Sequence, residues 1–521
     1  TNGHDLPAVA INKSGGSVRL VNHDASQAAS GGALSFNCTG ATSLILNGLT
    51  WTLGAACTAG NFVTLNVSAG TLNGGQALTV TGDAVLTHTT GTLTLSGLTY
   101  SSSDITSTLG AGTVNVTGAL QVSAGRLTQT GSSLADSVGS ISVTGGRLTW
   151  DSGSLVLSGA MTASAGTLEL GSKTITNVTN LGITGSAAIT FSTGTTGMNG
   201  DLTVNTTGSI VTAGAGIITM NGAANLGIST GPIGPLTIAA AVTVNASTAG
   251  AQDVGALVVS SGSLAVGAYD FQAAGATIGA GVTVGSGGVF STTGAMTINA
   301  GGTVGAVAAT NGRIVAGTGL TLNGNGSASV VDGNLTVTSG GLTLNGIGTV
   351  NSTGTGSITV TAGDLAWTGA STSTMTLSGT GGLNVTAGNY IQAAGANGAV
   401  TAGSGGVTIG GTLTNHDLLQ VTSGNLTVSG AGASSNAGTI TTVTGGTQGY
   451  TGAMTNTGAI TGVGAVTFSS TYGQTAGSLT GGAGLVTFTG ATTHSGGTIT
   501  SGSGGLLFMD AYNGSGTASL V

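Results

Sequence analysis

Charge, proline, cysteine and aromatic side chains are all scarce in this chain of 521 residues. Charged residues make up 4% of it, against roughly 25% in an ordinary globular protein. A conventional charged surface is therefore excluded. The 6 basic and 14 acidic residues, net −8, are thinly spread, so there is no basic stripe for phosphate and no aromatic platform for bases, and no nucleic-acid partner is expected. With only 3 prolines and no glycine at every third position, collagen is excluded. Aromatics at 3% cannot supply the two interfacial girdles of an outer-membrane barrel. No apolar run approaches the roughly 18 residues a spanning helix needs, and no membrane insertion is expected.

What is present is glycine, 102 residues of it, together with Thr, Ser, Val, Leu, Ile and Asn. Disordered chains are poor in β-branched residues, whereas this one can bury apolar surface throughout. Most of its residue types are weak helix formers. The composition hardly changes from about residue 30 onward, which points to one repetitive architecture. Thr1 opens the chain, and no charged stretch followed by an apolar one occurs between Thr1 and Ser30; a mature chain whose export signal has been removed is expected.

Two periodicities at one spacing stand out. Gly464-Ala-Val-Thr-Phe468, Gly484-Leu-Val-Thr-Phe488 and Gly504-Gly-Leu-Leu-Phe508 recur at intervals of 20 and 20, which predicts a stack of Phe468, Phe488 and Phe508. Between them Ile440, Ile460, Leu479 and Ile499 recur at 20, 19 and 20, predicting a second stack on another face. Upstream, a Gly-x-Leu/Met-x-Val/Ile/Ala phrase starts at Gly118, Gly159 and Gly200, 41 apart, and again at Gly255, Gly294 and Gly333, 39 apart. These intervals read as two coils each. Looser copies start at Gly381 and Gly424.

Each phrase alternates apolar and hydroxyl residues, the two-residue period of a strand with one dry face. Gly, Asn and Ser-Gly clusters then supply corners. The fold predicted is all-β, a right-handed parallel β-helix (β-solenoid) with coils of about 20 residues. About 25 such coils rising about 4.8 Å each would span on the order of 120 Å. Residues 1–30 crowd His4, Asp5, Lys13, Arg19, His23 and Asp24 and lack the repeated phrase; they read as an N-terminal cap or docking segment, and 31–521 as a continuous solenoid.

The phrases Gly-Asn-Leu-Thr-Val-Thr-Ser-Gly-Gly-Leu-Thr-Leu at 333–344 and Ala-Leu-Thr-Val-Thr-Gly at 77–82 resemble the repeats of secreted bacterial β-solenoids, the filamentous haemagglutinin-like exoproteins and autotransporter passenger domains. The resemblance is compositional and periodic over about 490 residues. It implies an extracellular or cell-surface adhesin, matrix or filament role. An Asn-Pro-Asn motif and a terminal barrel segment, found in those families, are not seen in this sequence.

Chemistry-bearing residues are few. Cys38 and Cys57 lie 19 apart, about one coil, and are expected to be disulfide-bonded. Arg126 and Arg147 occupy matching phrases 21 apart, as a solvated charge ladder or a binding patch for an acidic surface glycan, with Asp136, Asp151 or Glu169 to relieve their repulsion. Asp83 and Asp104, and Asp253 and Asp270, are spaced like carboxylates on neighbouring coils, but Asp in a corner that caps local backbone accounts for them as well. The five histidines lack metal-site spacing. No catalytic, cofactor or metal site is expected.

The function expected is that of a non-enzymatic structural subunit of an extracellular filament or surface layer, a homopolymer assembled head to tail. A cell-surface adhesin rod is the alternative, and a polysaccharide-acting β-helix enzyme a second.

Overall fold

A computed structural model gives an all-β chain, without helix among the described residues, as a parallel β-solenoid of about 21 turns with coils of roughly 21 residues. It describes residues 51–521, except 54, 62, 68–69, 74, 132–134, 152, 192, 213–215, 248–250, 307–310 and 369; before these it describes the strand segments 4–6, 10–11, 16–19, 25–27, 34–36, 42–45 and residue 50. The chain divides into two units, Thr1–Gly255 and Ala256–Val521. Each is a stack of parallel coils.

Most coils contain three short strands, and each strand pairs with the one three places on. In the second unit, Ile358, Leu383, Val407 and Leu426 form one inward column. Leu342, Leu365, Tyr390 and Leu413 form another. Val350, Met375, Val400 and Leu419 complete the three faces. Strand Leu383–Ala387 shows the logic: Leu383 and Val385 are fully buried while Asn384 between them points outward. One coil cannot bury its own apolar edge, so the fold exists only as a stack, each interior Leu or Val contributing about 1.5–3 kcal/mol.

Phe468, Phe488 and Phe508 stand in register, led by Tyr450. Their ring centroids are 5.1, 5.2 and 4.7 Å apart and nearly parallel. On another face, Leu419, Ile440, Ile460, Leu479, Ile499 and Leu520 form one column. Beside it Thr441, Thr461, Thr480 and Thr500 line up outward. Hydroxyls also reach back one coil to backbone carbonyls, as Ser339 does to Gly317 at 2.9 Å and Thr422 to Ala402 at 3.0 Å.

One sequence reading changes. The phrases at Gly118, Gly159 and Gly200 are indeed two coils apart, through the column Leu120, Ile141, Met161, Leu181, Leu202. Those at Gly294 and Gly333 are not: Met296 stacks with Leu320, but Leu335 stacks with Ile314 on a different face. Coils there exceed 20 residues, as from Phe290 to Ile314 and from Met296 to Leu320, so an interval of 39 lands one strand short of two turns.

Residues 1–30, read as a cap or docking segment, contain coil strands of their own. His4–Leu6 pairs with Ala25–Gln27, and Gly16–Arg19 with Thr42–Ile45, in the same parallel sense as the later coils. These strands therefore belong to coils.

Cys57 is a buried free thiol. Its neighbours in register are Leu34 on one side and Leu78 on the other. Cys38 lies outside the described residues. Burial pushes the Cys57 thiol up to about 12, which leaves almost no thiolate at neutral pH. Iodoacetamide at pH 8 should leave Cys57 unmodified in the native protein and alkylate it in guanidinium, as read by peptide mass spectrometry; rapid native labelling would contradict this burial.

Candidate functional site

Arg126 and Arg147 lie directly above one another on an outer face, in the column Thr106, Arg126, Arg147, Thr167. Two residues along the same strands runs a parallel column of Thr108, Thr128, Thr149 and Glu169. Corner glycines precede the arginines: Gly125 and Gly146 have φ of +66° and +64°. A Cβ on Gly146 would stand 2.5 Å from the Gly125 carbonyl oxygen, so the corner excludes any side chain. The result is an open cleft of about 360 Å³ lined by Thr106, Gly125, Arg126, Gly146 and Arg147.

The two guanidinium groups differ in their partners. Arg147 makes a two-pronged pair with Glu169 one coil up, Nε donating to Oε2 at 2.9 Å and Nη2 to Oε1. The Thr149 hydroxyl donates to the same Oε2 at 2.7 Å. Burial raises the Glu169 pKa, but these bonds and the charges of Arg147 and Arg126 outweigh it and hold the carboxyl below its ordinary value. Of the three acids expected to relieve the arginines, Glu169 does so. Arg126 is exposed and makes no ion pair with any described residue.

Asp136 points inward instead. It occupies the apolar column between Val114, whose N–H donates to Oδ1 at 3.1 Å, and Leu155. From two coils above, Lys173 donates to its Oδ2 at 2.9 Å, with both side chains fully buried. The Lys173 ammonium also lies 5.6 Å from the Trp150 ring centre. Burial lowers the Lys173 pKa, and Asp136 opposes this. Close by, His88 is buried, donates from Nε2 to the Gly91 carbonyl at 2.7 Å, and has its pKa lowered by burial despite that bond and the Asp136 charge. The side-chain polar atoms of Gln129, Nε1 of Trp150 and Nδ1 of His88 have no partner among the described residues. Sequence reasoning missed this interior pair, because positions 37 apart on different strands of the coil share no phrase.

A second interior polar column belongs to the other unit. Asn415, Asn436, Asn456, Gln474 and His494 follow one another in register. Asn415 donates to Asn436 at 2.7 Å and Asn436 to Asn456 at 2.8 Å. Gln474 accepts from Tyr472 at 2.7 Å, and His494 Nδ1 accepts from Tyr512 at 2.9 Å while its Nε2 donates to Gly497. These groups are buried inside the coils, and Asn415 Oδ1 alone among their side-chain polar atoms has no partner among the described residues.

Several other carboxylates serve the backbone. Asp201, Asp332 and Asp364 each accept an N–H from one coil on: from Asn225 near the start of its strand, and from the corner residues Thr355 and Asn389. Asp83 accepts the Ser103 hydroxyl, and the Asp104 side chain is outside the described set. Asp253 and Asp270 fall in different units, and the residue above Asp270 is Val289. Among the described residues, no three His, Cys, Asp or Glu side chains gather as a metal site requires. Trp150, Trp367, Tyr100, Tyr390, Tyr450 and Tyr472 are core fillers. No protein-family model matches the chain, and neither a curated protein nor a solved structure matches it.

Proposed function

We propose that this protein is a non-enzymatic structural β-solenoid of an extracellular filament or surface layer, in which copies stack head to tail. The carrying observation is that like stacks on like in the last coils, Phe on Phe, Ile on Ile and Thr on Thr, so a coil of this pattern is fitted to receive another. Among the described residues, Leu506–Phe508, Tyr512–Gly514 and Ser519–Leu520, one strand on each face, are each paired on one side only. Met509 N–H bonds back to Phe488, which leaves the N–H and C=O of Phe508 directed away from the preceding coil. Leu520 and Val521 are exposed beside them. In the proposed joint, His4–Leu6, Ala10–Ile11 and Gly16–Arg19 of a second copy pair with these three strands in the parallel sense that all the coils share. A heterologous contact of this kind generates an open polymer. The carboxylates that cap corner backbone support a scaffold reading over a catalytic one.

Negative-stain microscopy of the purified chain tests this. Filaments are expected for the native sequence. The double variant Phe508→Lys/Leu520→Lys, which sets ammonium groups into the joint, should give single particles with an unchanged circular dichroism spectrum. Single particles from the native chain at every concentration, or equal polymerisation of the variant, would refute the stacking.

A further inference from the structure

The cleft between Arg126 and Arg147 has the makings of a binding site, independent of whether the protein polymerises. We propose that it binds an acidic polysaccharide through a carboxylate or sulfate group, with Arg126 as the principal ligand and Glu169 as a built-in competitor.

The charge count is the first argument. Two guanidinium groups one coil apart face a single carboxylate that pairs with Arg147, which leaves the other positive charge without an ion pair among the described residues, on a chain whose net charge is −8. Like charges stacked at about 4.8 Å repel unless an anion sits between them. Glu169 satisfies Arg147 from above, and nothing among the described residues does so for Arg126. Its planar fork of donors is suited to a two-oxygen acceptor.

The surroundings are the second. The glycine corners at 125 and 146 keep the floor of the cleft free of side chains. Thr106 stands at its rim, and the hydroxyls of Thr108, Thr128 and Thr149 run parallel one column over. An anionic group clamped by Arg126 would place the hydroxyls of its sugar alongside a regularly spaced row of protein hydroxyls. A polysaccharide fits this better than a lone inorganic ion, since the row continues beyond the reach of one anion.

Glu169 makes the proposal sharp. Its carboxylate occupies Arg147, so a ligand engages Arg126 fully and Arg147 only by sharing it. Removing that negative charge should free the second clamp, so Glu169→Gln is expected to bind more tightly than the native chain.

The test is equilibrium binding of the full chain to polygalacturonate, dextran sulfate and neutral dextran at low and moderate salt. Polygalacturonate binding points to a carboxylate ligand and dextran sulfate binding to a sulfate; either supports the site, provided neutral dextran does not bind. Arg126→Gln should weaken binding about tenfold or more, the loss of one charge-assisted contact. Glu169→Gln should tighten it severalfold. Arg313→Gln, at an exposed arginine in the other unit, should change nothing. Absence of binding to both acidic probes, equal binding of neutral dextran, indifference to Arg126→Gln, weakening by Glu169→Gln, or an equal loss with Arg313→Gln would each overturn it. Circular dichroism of every variant separates loss of the site from loss of the fold.

Discussion

Replacing Lys173 with methionine should destabilise the first unit by about 3–5 kcal/mol, the usual consequence of leaving one member of a buried ion pair alone. Asp136 stands in a column that is otherwise apolar around it, between Val114 and Leu155, and its hydrogen-bond donors among the described residues are Lys173 and the Val114 N–H. Without the ammonium, a carboxylate remains in the coil interior with one backbone bond. The ammonium has the Trp150 ring beside it as well, so its removal also takes away a cation–π contact. The double variant Asp136→Leu/Lys173→Met should recover most of the loss, because an apolar pair of similar volume carries no desolvation cost. Hydrogen exchange across residues 135–178, read alongside thermal unfolding, localises the effect. A loss below about 1 kcal/mol for Lys173→Met would mean that water reaches the pair.

That interior pair shows where the sequence stops being legible. The phenylalanine stack could be read because identical side chains recur at a constant interval, and a stack of like on like needs no knowledge of what lies across the coil. Asp136 carried a weaker signal: it stands two positions before the inward Val138, in phase with the buried positions of its strand. The same residue equally fits a corner acid or a partner for the arginines, and single-strand periodicity does not choose among them. Its partner comes from a position two coils on and just before the next strand begins, so no local pattern links the two. The polar column from Asn415 to His494 was hidden for a related reason. Asn and Gln are common at corners throughout this chain, and only the register places these particular ones indoors. The arginine column was visible because it repeats a phrase; that Glu169 takes only one of the pair was not, since it depends on a diagonal reach between neighbouring columns.

Register also dictates the second large effect. Deleting one whole coil, from Ser469 to Phe488, should be tolerated, with thermal unfolding shifted by no more than about 4 °C, because each of the three faces closes again on a residue of its own column. Phe508 then stacks on Phe468, Ile499 on Ile460, and Thr492 on Met454, each replacing a partner that had occupied the same column. The corner survives as well, Thr489-Gly490 taking the place of Ser469-Ser470. Deleting only half a coil, from Ser469 to Ser478, should do far more damage. It joins Phe468 to Leu479 with no corner between them, removes the strand Tyr472–Gln474, and takes Gln474 out of the polar column, so no coil closes above Asn456. Every strand beyond the cut is then out of phase with the face it must cover, and apolar columns on three sides lose their partners at once. Hydrogen exchange should show normal protection after the whole-coil deletion and loss of protection from Leu479 onward after the shorter one. Equal protection in the two variants would be incompatible with a three-faced coil in fixed register.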